Sequence, residues 1–116
     1  MFKVIIAGGR DFNNYAMLKR KVLSVLKNMS DIEIVSGGAK GTDYLGERLA
    51  KEMKWSLKIF PADWDNKGKS AGFIRNSEMA EYAEACICFW DGKSKGTKNM
   101  IETAKKKKLL LRVISY

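Results

Sequence analysis

Apolar positions in this chain come in two alternating kinds of run. Lys3 to Ala7 (KVIIA) is short, continuous and β-branched, and it ends at Gly8-Gly9. That pattern predicts a central strand buried on both faces. Leu18, Val22, Val25, Leu26 and Met29 then recur at helical spacing, with Lys19, Arg20, Lys21 and Lys27 between them. They predict an amphipathic helix lying on a sheet, capped by Asn13 or Asn14. Ile32 to Val35 reads as the second strand, followed by a helix from Tyr44 to Met53 that buries Leu45, Leu49, Ala50 and Met53. Gly46 inside that helix costs roughly 1 kcal/mol against alanine and implies close helix–sheet contact. Ser56 to Phe60 alternates, as a strand near an edge does, and Pro61 ends it.

Ala62 to Ser70 reads as a long irregular segment. A third helix runs from Ala71-Gly72 to about Glu84, with Ile74, Met79, Tyr82 and Ala83 inward, and Ala85 to Trp90 is a very apolar fourth strand. After the loop Asp91 to Gly96, Thr97 opens the last helix, with Met100, Ile101 and Ala104 inward. Its close in Lys105 to Lys108 suits the negative end of the helix dipole. Leu109 to Ile114 is the last strand. Strand and helix alternate throughout, which predicts an α/β fold of about five parallel strands with helices on both faces. Ligands of such sheets bind outside the carboxyl ends of the strands.

Composition narrows the class. The 116 residues suffice for one domain, and 46% apolar content for an ordinary core. A net charge of +9 favours polyanions or anionic small molecules as partners, although excess lysine also simply solvates a surface. Cys86 and Cys88, two apart in a strand, point to one face and read as buried reduced thiols of a cytoplasmic protein. Without histidine or a second cysteine pair, no metal site and no cofactor are expected, and a histidine-based catalytic triad is excluded. Neither a signal peptide nor an apolar run of membrane length is present, so no membrane partner is expected.

The unusual residues gather at strand ends. Ser36-Gly37-Gly38-Ala39-Lys40-Gly41-Thr42-Asp43 joins the second strand to its helix. Glycines there let a ligand approach the backbone, and the free first-turn N–H groups attract an anion. The lysine precedes the last glycine, so this is not a P-loop, and no G-x-G-x-x-G follows the first strand. Thr42 and Asp43 are placed to cap the helix or to touch a ribose hydroxyl. Gly8-Gly9-Arg10, followed by Asp11 and Phe12, forms a second such turn, and Arg10 suits bidentate pairing with phosphate. In the third, Gly92 to Thr97, Ser94, Lys95, Gly96 and Thr97 resemble another phosphate grip. Asp63 and Trp64 follow the third strand; Trp64 stacks on a base or packs the loop onto the core, and Asp63 accepts from a sugar or base. Gly72, Arg75 and Asn76 sit in the first turns of the third helix, where a cation opposes the dipole and needs another purpose, such as phosphate recognition. Trp90, like Phe12 and Trp64, offers a face for a base, and Asp11, Asp43, Asp63, Asp65 and Asp91 are the carboxylates near the site.

The motifs GGRDF, SGGAKGTD, PADW, AGFIRN-x-x-M and FWDGKSKGT, in this order from Lys3 to Ile114, resemble the YspA/YpsA-related branch of the SLOG superfamily. That superfamily joins the DNA-processing protein DprA (Smf) and the Lonely Guy phosphoribohydrolases. The resemblance implies a Rossmann-like α/β/α sandwich binding nucleotides or nucleotide-derived ligands, often in phage–bacterial conflict, and a homo-oligomer. Lonely Guy enzymes carry P-G-G-x-G-T-x-x-E after the fourth strand. Here the glycine and threonine are Gly96 and Thr97, but Met100 stands at the glutamate, and Glu102 lies about 200° around the helix from it. Arg75 and Met79 keep the family's arginine-x-x-x-methionine element. The phosphate-gripping half is therefore retained and the acid–base half is missing. Three readings follow, in this order: a sensor or sequestering module for a nucleotide-derived molecule; a hydrolase of N-glycosidic or phosphoester bonds using Asp43, Asp63 or Asp91; and single-stranded nucleic-acid binding, as in DprA relatives.

Overall fold

The computed structural model describes residues 1–116. One sheet holds β1 (Phe2–Gly8), β2 (Ile32–Ser36), β3 (Ser56–Ile59), β4 (Ala85–Trp90) and β5 (Leu110–Ser115). All four pairings are parallel and the order is β3-β2-β1-β4-β5. The chain winds outward from β1 to β3, then returns to β4 on the other side of β1. That reversal is the switch point at which such folds open a crevice. The architecture is the Rossmann-like one the strand–helix alternation predicts.

The helices are α1 (Tyr15–Val25), α2 (Thr42–Met53), α3 (Trp64–Lys67), α4 (Ala71–Tyr82) and α5 (Lys95–Lys106), with a 3₁₀ turn at Gly68–Ser70. No helix is long and apolar enough to cross a membrane. Alternate residues of β1 and β4 feed two cores. Val4, Ile6, Ile87 and Phe89 pack with Leu18 and Val22 of α1 and with Leu45 and Leu49 of α2. Ile5, Ala7, Cys86 and Cys88 pack with Met79 of α4 and with Met100 and Ile101 of α5. Burial of each large side chain stabilises by about 1.5–3 kcal/mol. Gly46 fits its expectation: a Cβ there would lie 3.0 Å from Ile6.

Several local expectations change. Ala62 to Ser70 is not irregular throughout, because the Asp63 carboxylate accepts from the Asn66 amide and so caps α3. The last helix opens at Lys95, two residues before Thr97, since Ser94 is its cap and accepts from the Thr97 amide. Helix α1 stops at Val25, which leaves Met29 beyond it, and Val25, Met29, Met53 and Ile74 are exposed rather than inward. Asn14 is the cap of α1, and β3 is an edge strand.

Candidate functional site

The turn from β2 to α2 is held by its own side chains. Ser36 is fully buried; its Oγ donates to Glu47 and accepts from the Gly38 amide at 3.1 Å. Asp43, 6% exposed, caps nothing; its Oδ2 accepts from the Ala39 amide at 3.2 Å. Thr42 binds outward, its amide and its Oγ1 both donating to the Gly9 carbonyl. This ties the β2–α2 turn to the β1–α1 turn. Gly41 makes the approach feasible: it has φ +72°, and a Cβ would lie 2.5 Å from the Gly9 and Arg10 carbonyl oxygens. The amides of Lys40 and Gly41 have no acceptor within the chain.

Arg75 reaches this turn from α4. Its Nη1 donates to the Gly37 carbonyl and its Nε to Asn76 Oδ1 at 3.1 Å. Gly37 has no side chain because none fits: a Cβ would lie 2.5 Å from Arg75 Nη1 and 2.8 Å from Asp43 Oδ2. Burial pushes the Asp43 carboxyl up to about 6, against the Ala39 amide and the Arg75 and Arg10 guanidiniums, which pull it down. Burial lowers Arg75, partly offset by Asp43.

The β4–α5 turn is closed on itself. Asp91 Oδ1 accepts from the amides of Lys93 and Ser94 at 2.8 and 2.9 Å, which hold its carboxyl below the usual range. Asn76 Nδ2 donates to Asn99 Oδ1 and to the Gly96 carbonyl, pinning α4 to α5. Trp90 Nε1 donates to the Ser94 carbonyl, so its indole serves the turn.

Two connected clefts lie over these turns. The one beside β4, about 390 Å³, is floored by Ala7, Gly8, Met79 and Met100 and walled by Asp11, Asp43, Asp91, Asn76, Ser94 and Thr97. Gly9, Gly72 and Gly96 also border it. The one beside β2, about 460 Å³, is lined by Gly37, Gly38, Lys40, Pro61 and Ala62. Arg10, Ala39, Trp64 and Arg75 belong to both and form the ridge between them. Trp64 is 50% exposed and reaches over Gly72. Each cleft is of small-molecule size.

Seven candidates lie off the clefts. Phe12 is buried and stacks on Phe89, with ring centroids 5.1 Å apart. Ser36 and Thr42 brace their turns by hydrogen bonds, and Gly41 is where the β2–α2 turn approaches the Gly9 and Arg10 carbonyls. Asp63 caps α3, Trp90 braces its turn, and Lys95 opens α5. Conversely, Lys69 and Phe73 line the β4 cleft without having been singled out. The available signal was Phe73 itself, an aromatic residue off the apolar stripe of its helix and 51% exposed.

No group of three metal-ligating side chains converges anywhere in the chain. Chemically, the arrangement offers cations and free amides for an anion, carboxylates and amides for hydroxyls or amines, and an exposed indole for a ring.

Residues 2–66 match the family described as YAcAr: YspA, cpYpsA-related SLOG family. Gene 61 protein of Mycobacterium phage D29 is 31% identical over 113 residues, which cover 91% of this chain and 90% of that protein. The X-ray structure of DNA processing protein A (DprA) from Streptococcus pneumoniae is similar with a TM-score of 0.77 over 97% of this chain, at 20% identity. This chain spans 50% of that one, and at such identity the likeness is one of fold. The family match over more than half the residues, with a phage relative alike along nearly the whole length, establishes that the chain belongs to the YspA, cpYpsA-related SLOG family.

Proposed function

We propose that this protein binds a nucleotide or nucleotide-derived small molecule at the carboxyl end of its sheet, as a sensor or a sequestering module. The observation that carries this reading is the ridge. Arg10, Arg75 and an exposed indole line both clefts there, together with a glycine turn that has two unused amides. Guanidiniums and free amides suit phosphate, and the indole suits a base. A phage–bacterial setting, a cytoplasmic location and a homo-oligomer go with the family and are part of the same reading. Calorimetry and thermal shift with mono-, di- and cyclic nucleotides and ADP-ribose derivatives test it. Binding by at least one member is expected; a folded protein that responds to none contradicts the proposal.

A nucleotide hydrolase is the second reading, favoured by Asp43, a buried carboxyl at the cleft that titrates near neutrality. Chromatography of the bound nucleotides after incubation separates the two, since a binding module leaves them unchanged. Single-stranded nucleic-acid binding, in line with the name of the DprA neighbour, ranks third. Asp11, Asp43 and Asp91 in the β4 cleft oppose a continuous phosphate chain.

A further inference from the structure

The two clefts differ in charge although both are built on glycine turns. The β2 cleft holds Arg10, Lys40 and Arg75 and no carboxylate. The β4 cleft shares both arginines and adds Lys69, but it also carries Asp11, Asp43 and Asp91. Both turns keep two amides free, so the difference between the clefts is one of side-chain charge. In the β2–α2 turn the Lys40 and Gly41 amides are free. In the β4–α5 turn the amides of Lys93 and Ser94 are taken by Asp91 and that of Thr97 by Ser94, while those of Lys95 and Gly96 are free. A phosphate placed there would meet the ionised carboxylate of Asp91. Building on the nucleotide-binding reading, we infer that the two turns divide the work: phosphoryl groups sit against the β2–α2 turn, and the β4–α5 turn takes an uncharged part bearing hydroxyl or amine groups.

The ligand class follows. It is a nucleotide phosphorylated at one end only, with its sugar hydroxyls free in the β4 cleft. A second phosphate at the sugar is repelled by Asp91 and Asp11. Asp43 faces the same space with its other carboxylate oxygen unbonded within the protein. A hydroxyl donates to all three; a phosphate does not.

The test is calorimetric titration with matched pairs of nucleoside 5′-phosphate and 3′,5′-bisphosphate, on the wild type and on Asp91→Asn and Lys40→Ala. Asparagine keeps an oxygen for the Lys93 and Ser94 amides and removes only the charge. Lys40 is exposed and forms no ion pair. Wild type is expected to bind the 5′-phosphate about tenfold or more tightly than the bisphosphate. Asp91→Asn narrows that gap, and Lys40→Ala weakens both ligands alike. Equal or tighter binding of the bisphosphate, or a gap untouched by Asp91→Asn, overturns the division while nucleotide binding stands. Absence of binding by every nucleotide overturns both.

Discussion

Asp43 shows how a single residue trades stability for a site. Its carboxyl titrates at about 6 in the fold against 3.8 unperturbed, because burial outweighs the Ala39 amide and the Arg75 and Arg10 charges, while Glu47 adds to the rise. The folded state therefore holds this proton more tightly than the unfolded chain. Its contribution favours folding at low pH and is lost as pH rises from about 4 to about 6. Asp43→Asn is expected to raise unfolding free energy near neutral pH on the order of 1–3 kcal/mol and to flatten the profile between those limits. Denaturant unfolding across that range checks it; a variant no more stable near neutrality contradicts it. Glycines divide in the same physical way. Gly41→Ala forces a Cβ into two carbonyl oxygens at positive φ, and a loss of more than about 2 kcal/mol is expected. Gly96 meets nothing within 4 Å inside α5, so Gly96→Ala is expected to raise stability by up to about 1 kcal/mol. Thermal unfolding of the two variants separates a packing glycine from a spare one. Sequence alone treats them alike, because the carbonyls that crowd Gly41 come from a turn about thirty residues away in the chain.

At the scale of elements, periodicity made the strands and the four long helices legible, and the buried faces of β1, β2 and β4 follow the apolar runs. Caps were harder to read. Asn14 was visible, but Ser94 displaced the helix start from Thr97, and Asp63 made a short helix out of an apparent loop. A cap is one hydrogen bond whose partner lies three residues on, a weaker signal than a repeating stripe. Of the candidate site, the turns were legible because glycine clusters after strands are conspicuous. The closure of the β4–α5 turn by Asp91, and the exposure of Phe73, were not. In the proposed binding the short helix α3 matters most. It carries Trp64 over both clefts, with half its surface exposed and few buried neighbours in its own helix. Trp64→Ala is expected to weaken nucleotide binding about tenfold or more while leaving the melting temperature nearly unchanged. Equal affinity in this variant contradicts a stacking role.

Across the whole molecule, topology gathers the candidate site at one end. Because the chain reverses between β1 and β4, the turns after β1, β2 and β4 meet above the sheet, and α4 brings Arg75 to them. The opposite end serves the fold: Glu33, buried in β2, accepts from Tyr82 and from Ser56, linking β2 to α4 and β3. The thiols belong to the interior too. Cys86 and Cys88 are fully buried with their sulfurs 3.4 Å apart, and the hydrogen bond to Cys88, with burial, pushes the Cys86 thiol up. Neither is expected to react with a thiol reagent until the protein is denatured, and rapid labelling of the native state contradicts this burial. The charge of +9 is a property of the whole surface, and the β4 cleft offsets it locally with three carboxylates.

The most direct test of the central claim is amide and indole NMR of the protein titrated with a nucleoside 5′-diphosphate. The account predicts the largest shifts at Arg10, at Gly38 to Gly41 and at the Trp64 indole, with little change at Glu33 or Tyr82. Shifts centred away from the carboxyl ends of the strands, or none at saturating nucleotide, would contradict it.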